Sequence, residues 1–471
     1  MKLRSSTFGV SIEELQALVA EGLSCGGDWC DLFFEYSAYT SLMLRDSTVS
    51  SGGCHEDYGC GIRVLKGEKT GYAYAESTDM AALRKAARSA ANIAAGGSPK
   101  ACGVAHRIEG AQNFYPVGRD WRDVESAAVI PWLQRIESEI RRRESRTLKV
   151  IASFSCDMSE VLMFNSLGEL TEDLRPMGSL AVTAIFSNGK KVINNNASRS
   201  YRAGAEMLSE RVVGELVDEV VRGIDEAFEA RRPRGGKMSV VMGAGASGIL
   251  LHEAMGHAFE ADFNRKGQSV FSERMGQRIC RSGINIVDDG CLPGNRGACN
   301  FDDEGVPGQK TYMVTDGVLT SFLHDRISAA WYGVAPTGNG RRESFRYNPI
   351  PRMRATYMEN GSDGSVGDLI ASVRKGIYVD RFSNGQVKIG EGDFTFFVKS
   401  GRLIENGRLT APVSDINIIG NGPKALADIR AVASDLKIDE SQWTCGKEQS
   451  APVSCGIPSV LVENLTVGGG Q

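Results

Sequence analysis

Two of the chain's five histidines sit in one short run, His252-Glu253-Ala254-Met255-Gly256-His257. Imidazoles are the commonest protein ligands for transition metals, and a carboxylate beside a metal-bound water can take its proton. A His-Glu-x-x-x-His run arises by accident in a chain of this composition with a chance on the order of a few in a thousand. The common zinc-protease spacing, His-Glu-x-x-His, sets its imidazoles about 40° apart on a helix; a five-residue offset sets them roughly 140° apart. Both rings reach one ion only if the backbone bulges into a π-turn or breaks near Gly256, whose missing Cβ permits it. Two ligands are too few, because a catalytic zinc keeps three protein ligands and an open position for water. Glu260, Asp262, His324 and the cysteines are candidates by type, and spacing alone does not choose among them.

The stretch just before this run offers a competing chemistry. Gly243-Ala244-Gly245-Ala246-Ser247-Gly248 fits G-x-G-x-x-G between a strand at 238–242 and a helix, with Asp262 further on. Alone, that pattern is a dinucleotide fingerprint and implies a dinucleotide-dependent oxidoreductase. Asp262 falls at the end of the same helix, however, no alternating βαβ series follows, and the helix already carries the His-Glu-His run. The plainer reading is that small residues let the strand turn sharply and a buried helix pack closely.

The elements that must hold these residues fall into two halves. Ile12, Leu15, Leu18, Val19 and Leu23 mark a helix over residues 11–24, followed by strand-like runs at 31–36, 41–44, 60–65 and 70–75. A helix over 79–95, capped by Ser77 or Thr78, closes the unit. The pattern then repeats: a helix over 121–143 kinked at Pro131, strands at 148–153, 160–165, 179–186 and around 191–195, and a helix over 209–230. Residues 1–232 are therefore read as an α+β domain of two helix–meander–helix units, a possible internal duplication, each meander with a polar turn near its middle. Arg231-Arg232-Pro233-Arg234-Gly235-Gly236 reads as a linker. Residues 237–471 read as a mostly antiparallel β-rich domain built around one buried helix over 248–262. Asn-Gly pairs at 339, 360, 384, 406 and 421 are taken as hairpin turns, with short helices at 366–375 and 424–434 and a last strand at 460–465.

At 471 residues there is ample material for two or three domains. A net charge of −4 argues against a nucleic-acid partner. Residues 1–7 lack the apolar run of a signal peptide, and no stretch approaches the ~20 apolar residues of a membrane span. Eleven scattered cysteines, an odd number, read as reduced thiols in the cytoplasm.

Beyond the histidine run the chain resembles the TldD/PmbA metallopeptidases. The strings that carry the resemblance are His252-Glu-x-x-x-His257, Glu260-x-Asp262-Phe263-Asn264-Arg265-Lys266-Gly267, Asp302-Asp303-Glu304-Gly305-x-Pro307-Gly308-Gln309 and Pro336-Thr337-Gly338-Asn339-Gly340-Arg341-Arg342-Glu343-Ser344. Cys445-Gly446-Lys447-Glu448 and Asn464-Leu465-Thr466-Val467-Gly468-Gly469 follow near the end. The first half is looser but compatible, notably over residues 67–75, and PmbA-like subunits lack the metal motif, so its presence points to the TldD side. The resemblance implies a Zn²⁺-dependent peptidase with His252, His257 and Cys445 as ligands and Glu253 as general base. Cys445 matches through its Cys-Gly-Lys-Glu context, and Cys455 is the near miss. It also implies short or unfolded peptides as substrates, a site enclosed in a dimer, and a PmbA/TldE-like subunit or a second copy as partner. Asn339, Arg341 and Arg342, in a Gly-rich loop, are expected to line the cleft, with a solvated surface loop as the alternative. A non-catalytic regulatory role, suggested by the family's older label of DNA gyrase modulator, is opposed by the intact motif.

Overall fold

The computed structural model describes residues 3–110, 112–388 and 390–468. The fold is α+β, with mostly antiparallel sheets. The first half shares one seven-stranded sheet. Its long strands run Lys69–Ala75, Thr48–Lys66, Trp29–Arg45, Thr147–Asn165 and Glu169–Ser187 in spatial order, and Val192–Tyr201 pairs with the last of these. The two first strands of the repeated units, Trp29–Arg45 and Thr147–Asn165, lie side by side antiparallel. That order is the one a duplicated helix–three-strand–helix unit gives when its first strands pair.

All four long helices pack on one face. Leu32, Phe34, Ile62 and Val64 meet the helices Ile12–Leu23 and Met80–Ile93. Leu42, Phe154, Val182 and Phe186 meet Ile130–Arg143 and Glu210–Val221. The first helix is closed by a capping box between Ser11 and Glu14.

Several expected breaks are absent because polar residues alternate with apolar ones along unbroken strands. The runs at 31–36 and 41–44 belong to one 17-residue strand. Those at 148–153 and 160–165 belong to one of 19. Phe154, Cys156 and Met158 point at the helices, so Ser153, Ser155, Asp157 and Ser159 belong to the opposite face and are not a turn. Pro131 opens its helix and does not kink it. Asp79, not Ser77 or Thr78, caps the second helix by accepting from the amides of Ala81 and Ala82. The helix expected over 209–230 is divided at Gly223, whose φ of 73° ends one segment and starts Ile224–Glu229.

The second half holds two further sheets. In one, Lys375–Lys388, Gly236–Met242, Val460–Gly468, Ile416–Asn421 and Asp393–Glu405 pair in turn, and the last pairs back to the first, closing a five-stranded ring. In the other, Ile286–Asp289, Ala355–Met358 and Gln449–Ile457 lie adjacent, and Trp443–Lys447 folds back on Gln449–Ile457 through a tight turn at Glu448. Of the five Asn-Gly pairs, Asn406-Gly407 makes a two-residue hairpin turn, with φ values of 50° and 76°. The other four lie within or beside strands or, at Asn421-Gly422, start a helix. The helix expected over 424–434 is Gly422–Ala427 followed by the strand Ile429–Val432, and that over 366–375 ends at Ala371.

The halves are joined by buried charge. Arg63 lies 2.7 Å from both Asp31 and Glu304, and Arg175 reaches Asp303 at 2.5 Å. The acidic string 302–304 is thus a clasp between the first sheet and the second half. No helix among the described residues is long and apolar enough to cross a membrane.

Candidate metal centre

The strand Gly236–Met242 delivers the chain into the glycine run. Gly245 has φ 92° and ψ −109°, a conformation closed to side chains with a Cβ, and makes the sharp turn. A Cβ on Gly248 would stand 2.5 Å from the Gly456 nitrogen, so glycine there lets the helix start press on its neighbouring strand. The single helix expected over 248–262 is instead a relay of short segments. Ile249–Leu251 is α-helical, His252–Gly256 is a π-turn, His257–Phe259 tightens to 3₁₀, and Glu260 leaves in extended conformation before Ala261–Arg265. The π-turn inserts one residue where the five-residue offset requires it. Leu250, Leu251, Met255 and Phe259 bury this relay in the core of the second half.

The convergence is visible in the side chains. Ligand atoms of His252, His257 and Cys445 all lie within 4.8 Å of one another, and all three residues are buried. Cys445 Sγ is 3.0 Å from His257 Nε2, and the two imidazole centroids are 5.3 Å apart. Nδ1 of His257 faces the Glu260 carboxylate at 3.0 Å, which turns Nε2 toward the thiol. Nδ1 of His252 is buried without a hydrogen-bond partner. A cavity of about 120 Å³ opens onto the three residues and Glu253.

The electrostatics suit a cation. Burial alone would push the Cys445 thiol up, but hydrogen bonds and charge from His252 and His257 take it down to about 5. Burial opposes charge on His257 too, yet Glu260 and Cys445 raise it to about 10. These shifts favour a thiolate on Cys445 and a proton on His257, the one proton a metal would displace from the pair. Glu260, though wholly buried, is held down to about 2 by Lys447, His257 and Arg352. Glu253 is half-buried, and loss of solvent raises its pKa, partly offset by the two histidines. The donor set of two imidazoles and a thiolate fits a tetrahedral zinc site with one open position.

Residues 30–94 match the PmbA/TldA metallopeptidase domain 1, residues 119–224 its central domain and residues 235–469 its C-terminal domain. A metalloprotease TldD homologue of Haemophilus influenzae is 37% identical over 453 residues, 94% of this chain and 93% of that protein. The chain belongs to the TldD/PmbA metallopeptidase family. A zinc metalloprotease TldD homologue of Saccharolobus solfataricus is 32% identical over 259 residues, covering 55% of this chain and 57% of that one. The fold is also that of a Thermotoga maritima protein described as a candidate modulator of a DNA gyrase, with TM-score 0.78, 22% identity, and 97% and 100% of the two chains covered. TldE from Thermococcus kodakarensis superposes with TM-score 0.76 at 19% identity, over 97% and 100% of the chains.

Not every residue expected at a TldD/PmbA site stands there. Asn339, Arg341 and Arg342 do not line the cavity, and they are neither solvated nor free. Asn339 donates to Asp288 at 2.7 Å and to the Arg352 carbonyl at 3.0 Å; Arg341 donates to the Met353 carbonyl at 2.6 Å. Arg342 spans Asp303 and Asp31 and lies over the Phe33 ring. Asn339 and Arg341 thus bond within the second half, and Arg342 belongs to the joint between the halves. His324 packs on Tyr332, away from the cluster, and Asp262 pairs with Lys447 at 2.7 Å. Cys455 lines the cavity, but burial and the charge of Asp439 hold it as a neutral thiol.

Three supporting residues were not singled out from the sequence. Lys447, in the Cys-Gly-Lys-Glu string, bridges Glu260 and Asp262. Arg352 donates to the Cys445 carbonyl at 2.7 Å and is braced by Asn339. A Cβ on Gly385 would lie 3.5 Å from Glu253 Cγ, so that strand backs the carboxylate. The π-turn itself supplies a prediction. A Cβ on Gly256 would stand 2.1 Å from Met353 Sδ and 3.3 Å from the Leu251 carbonyl. Gly256→Val is expected to cost ~1–3 kcal/mol of overpacking and to weaken Zn²⁺ affinity about tenfold or more, without touching a ligand. Competitive titration with a chromogenic chelator measures it, and unchanged affinity would mean the π-turn does not set the ligand geometry.

Proposed function

We propose that this chain is a zinc-dependent peptidase acting on short or unfolded peptides, with the ion held by His252, His257 and Cys445 and Glu253 as general base. The observation that carries the reading is the buried His-His-Cys cluster facing one small cavity with Glu253 on its wall. A zinc ion held by these three residues would lower the pKa of a bound water toward ~7 and polarise a peptide carbonyl. Glu253, its pKa raised by burial, takes the water proton and returns it to the leaving amine. Glu260 keeps His257 in the tautomer that offers Nε2, while Lys447 and Arg352 balance its buried charge. Cys445 needs no separate base, since its thiol already ionises below neutral pH.

The narrow cavity suits an extended chain and excludes a folded one. Enclosure in a dimer, with a PmbA/TldE-like subunit or a second copy, completes the reading, and the fold shared with TldE supports the first. Residues 1–232 and 237–471 serve as the two functional units. Eleven unpaired cysteines suit the cytoplasm. The test is metal analysis with cleavage of a peptide library, with and without a co-purified partner. About one zinc per chain is expected, with cleavage lost to a chelator and restored by zinc. Cleavage that survives complete metal removal, or none from the zinc-loaded complex, overturns the reading.

A further inference from the structure

A larger cavity, about 750 Å³, lies beside the metal pocket, and Trp443 lines both. One wall is the strand Val192–Tyr201 of the first half, through Asn196 and Ser198. The other is the hairpin of Lys375–Lys388 and Asp393–Glu405, through Arg381, Phe382, Val398 and Lys399. This groove is therefore formed where the two halves meet, and Trp443 is the side chain it shares with the metal pocket.

Its charges are unequally satisfied. Arg381 is engaged, 3.4 Å from Glu219 and 3.7 Å from Asp380. Glu219 also holds Arg199 at 2.9 Å, and Asp439 accepts from the Trp443 indole at 2.6 Å. Lys191 donates to the carbonyls of Ala227 and Ala230. Lys399 donates only to the carbonyl and side-chain oxygen of Asn196 and forms no ion pair among the described residues; the groove's remaining carboxylate, Asp415, is exposed and does not reach it. Burial, with Arg381 close by, lowers its pKa to about 8, and the Glu219 carboxylate, already paired with Arg199 and Arg381, offsets this only in part. Arg381, which lines the groove beside Lys399, links this position to the chemistry. Gly385, which backs Glu253, is four residues along the strand from Arg381, about 13 Å at ~3.3 Å per residue.

We propose that Lys399 is a specificity-determining residue that pairs with a carboxylate of the bound peptide, about four extended residues from the scissile bond. The assignment rests on the peptidase reading and adds a substrate class to it: peptides bearing an acidic side chain, or a C-terminal α-carboxylate, at that distance. Either source presents the same group to the ammonium.

The test is binding to the zinc-loaded, full-length Glu253→Gln protein, with its partner if one co-purifies. The probes are twelve-residue peptides of Ala, Ser and Val carrying one Glu stepped through the sequence, their Gln counterparts, and each as free acid and as amide. Calorimetry is expected to find one placement where the charged peptide binds about tenfold tighter than its neutral match. Lys399→Met should bring that ratio to near one and Lys399→Arg should keep it, with zinc content and melting temperature unchanged in both. A Glu effect that persists in the amides identifies the side chain; an acid-over-amide effect identifies the C-terminus. Equal binding of charged and neutral peptides, or a ratio that survives Lys399→Met, overturns the assignment. Cleavage by the Glu253 enzyme separates the two readings: cutting that ignores the carboxylate leaves the peptidase and removes this subsite. Lys399-dependent binding without cleavage does the reverse.

Discussion

Glu253→Gln is expected to keep the bound zinc and the fold and to lower kcat/KM by about two to four orders of magnitude, the usual range of a positioned general base. The substitution is nearly isosteric, and Gly385 behind the side chain leaves its place unchanged. What is lost is the ability to accept a proton. Glu253 is the carboxylate on the wall of the metal cavity, between the two histidines, so no other described acid stands ready to replace it. The measurement is turnover of a peptide taken from the library, paired with metal analysis of the same preparation. Near-normal turnover with full zinc would move the proton transfer to another group. Loss of zinc along with activity would mean that Glu253 shapes the ligand set and does not act as a base.

Cys445→Ala should remove most of the zinc, weakening affinity by more than about a hundredfold, since outer partners of metal ligands alone are worth about 10–100-fold. Cys455→Ser should leave zinc content unchanged. The two thiols line the same cavity, yet their surroundings oppose each other. Cys445 is 3.0 Å from His257 Nε2 and is drawn down to about 5 by the histidines, so it meets a cation already ionised. Cys455 is pushed up by burial and by Asp439 and keeps its proton. Equal zinc in wild type and Cys445→Ala would sink the ligand assignment; loss in Cys455→Ser would transfer it.

The relation of sequence to structure is clearest at this centre. A five-residue offset between two histidines cannot face one ion from a regular helix, so the distortion was legible from rotation per residue alone, and the π-turn lies between them. The helix Ile12–Leu23 and the strand Gly236–Met242 were legible for a similar reason, since their local periodicity or punctuation agrees with their burial. The meanders were not. Ser153, Ser155, Asp157 and Ser159 look like a turn in one dimension, and only the pairing of neighbouring strands shows them as one face of a long sheet.

The remaining failures share one cause. The third member of the cluster stands 188 residues from His257, and no local spacing constrains so distant a partner; only the family's strings pointed to Cys445. Glu260, a candidate ligand by type, became the partner of His257 Nδ1 because the chain leaves the helix at that residue and turns its carboxylate back. Asn339, Arg341 and Arg342 have the composition of a solvated or substrate-facing loop, and a buried hydrogen-bonded joint uses the same residue types. The sequence by itself determined which chemistry the histidine run demands and what its backbone must do. Tertiary structure decided which distant groups complete it, because desolvation and charge pairing are set by what packs against a residue and not by what precedes it in the chain.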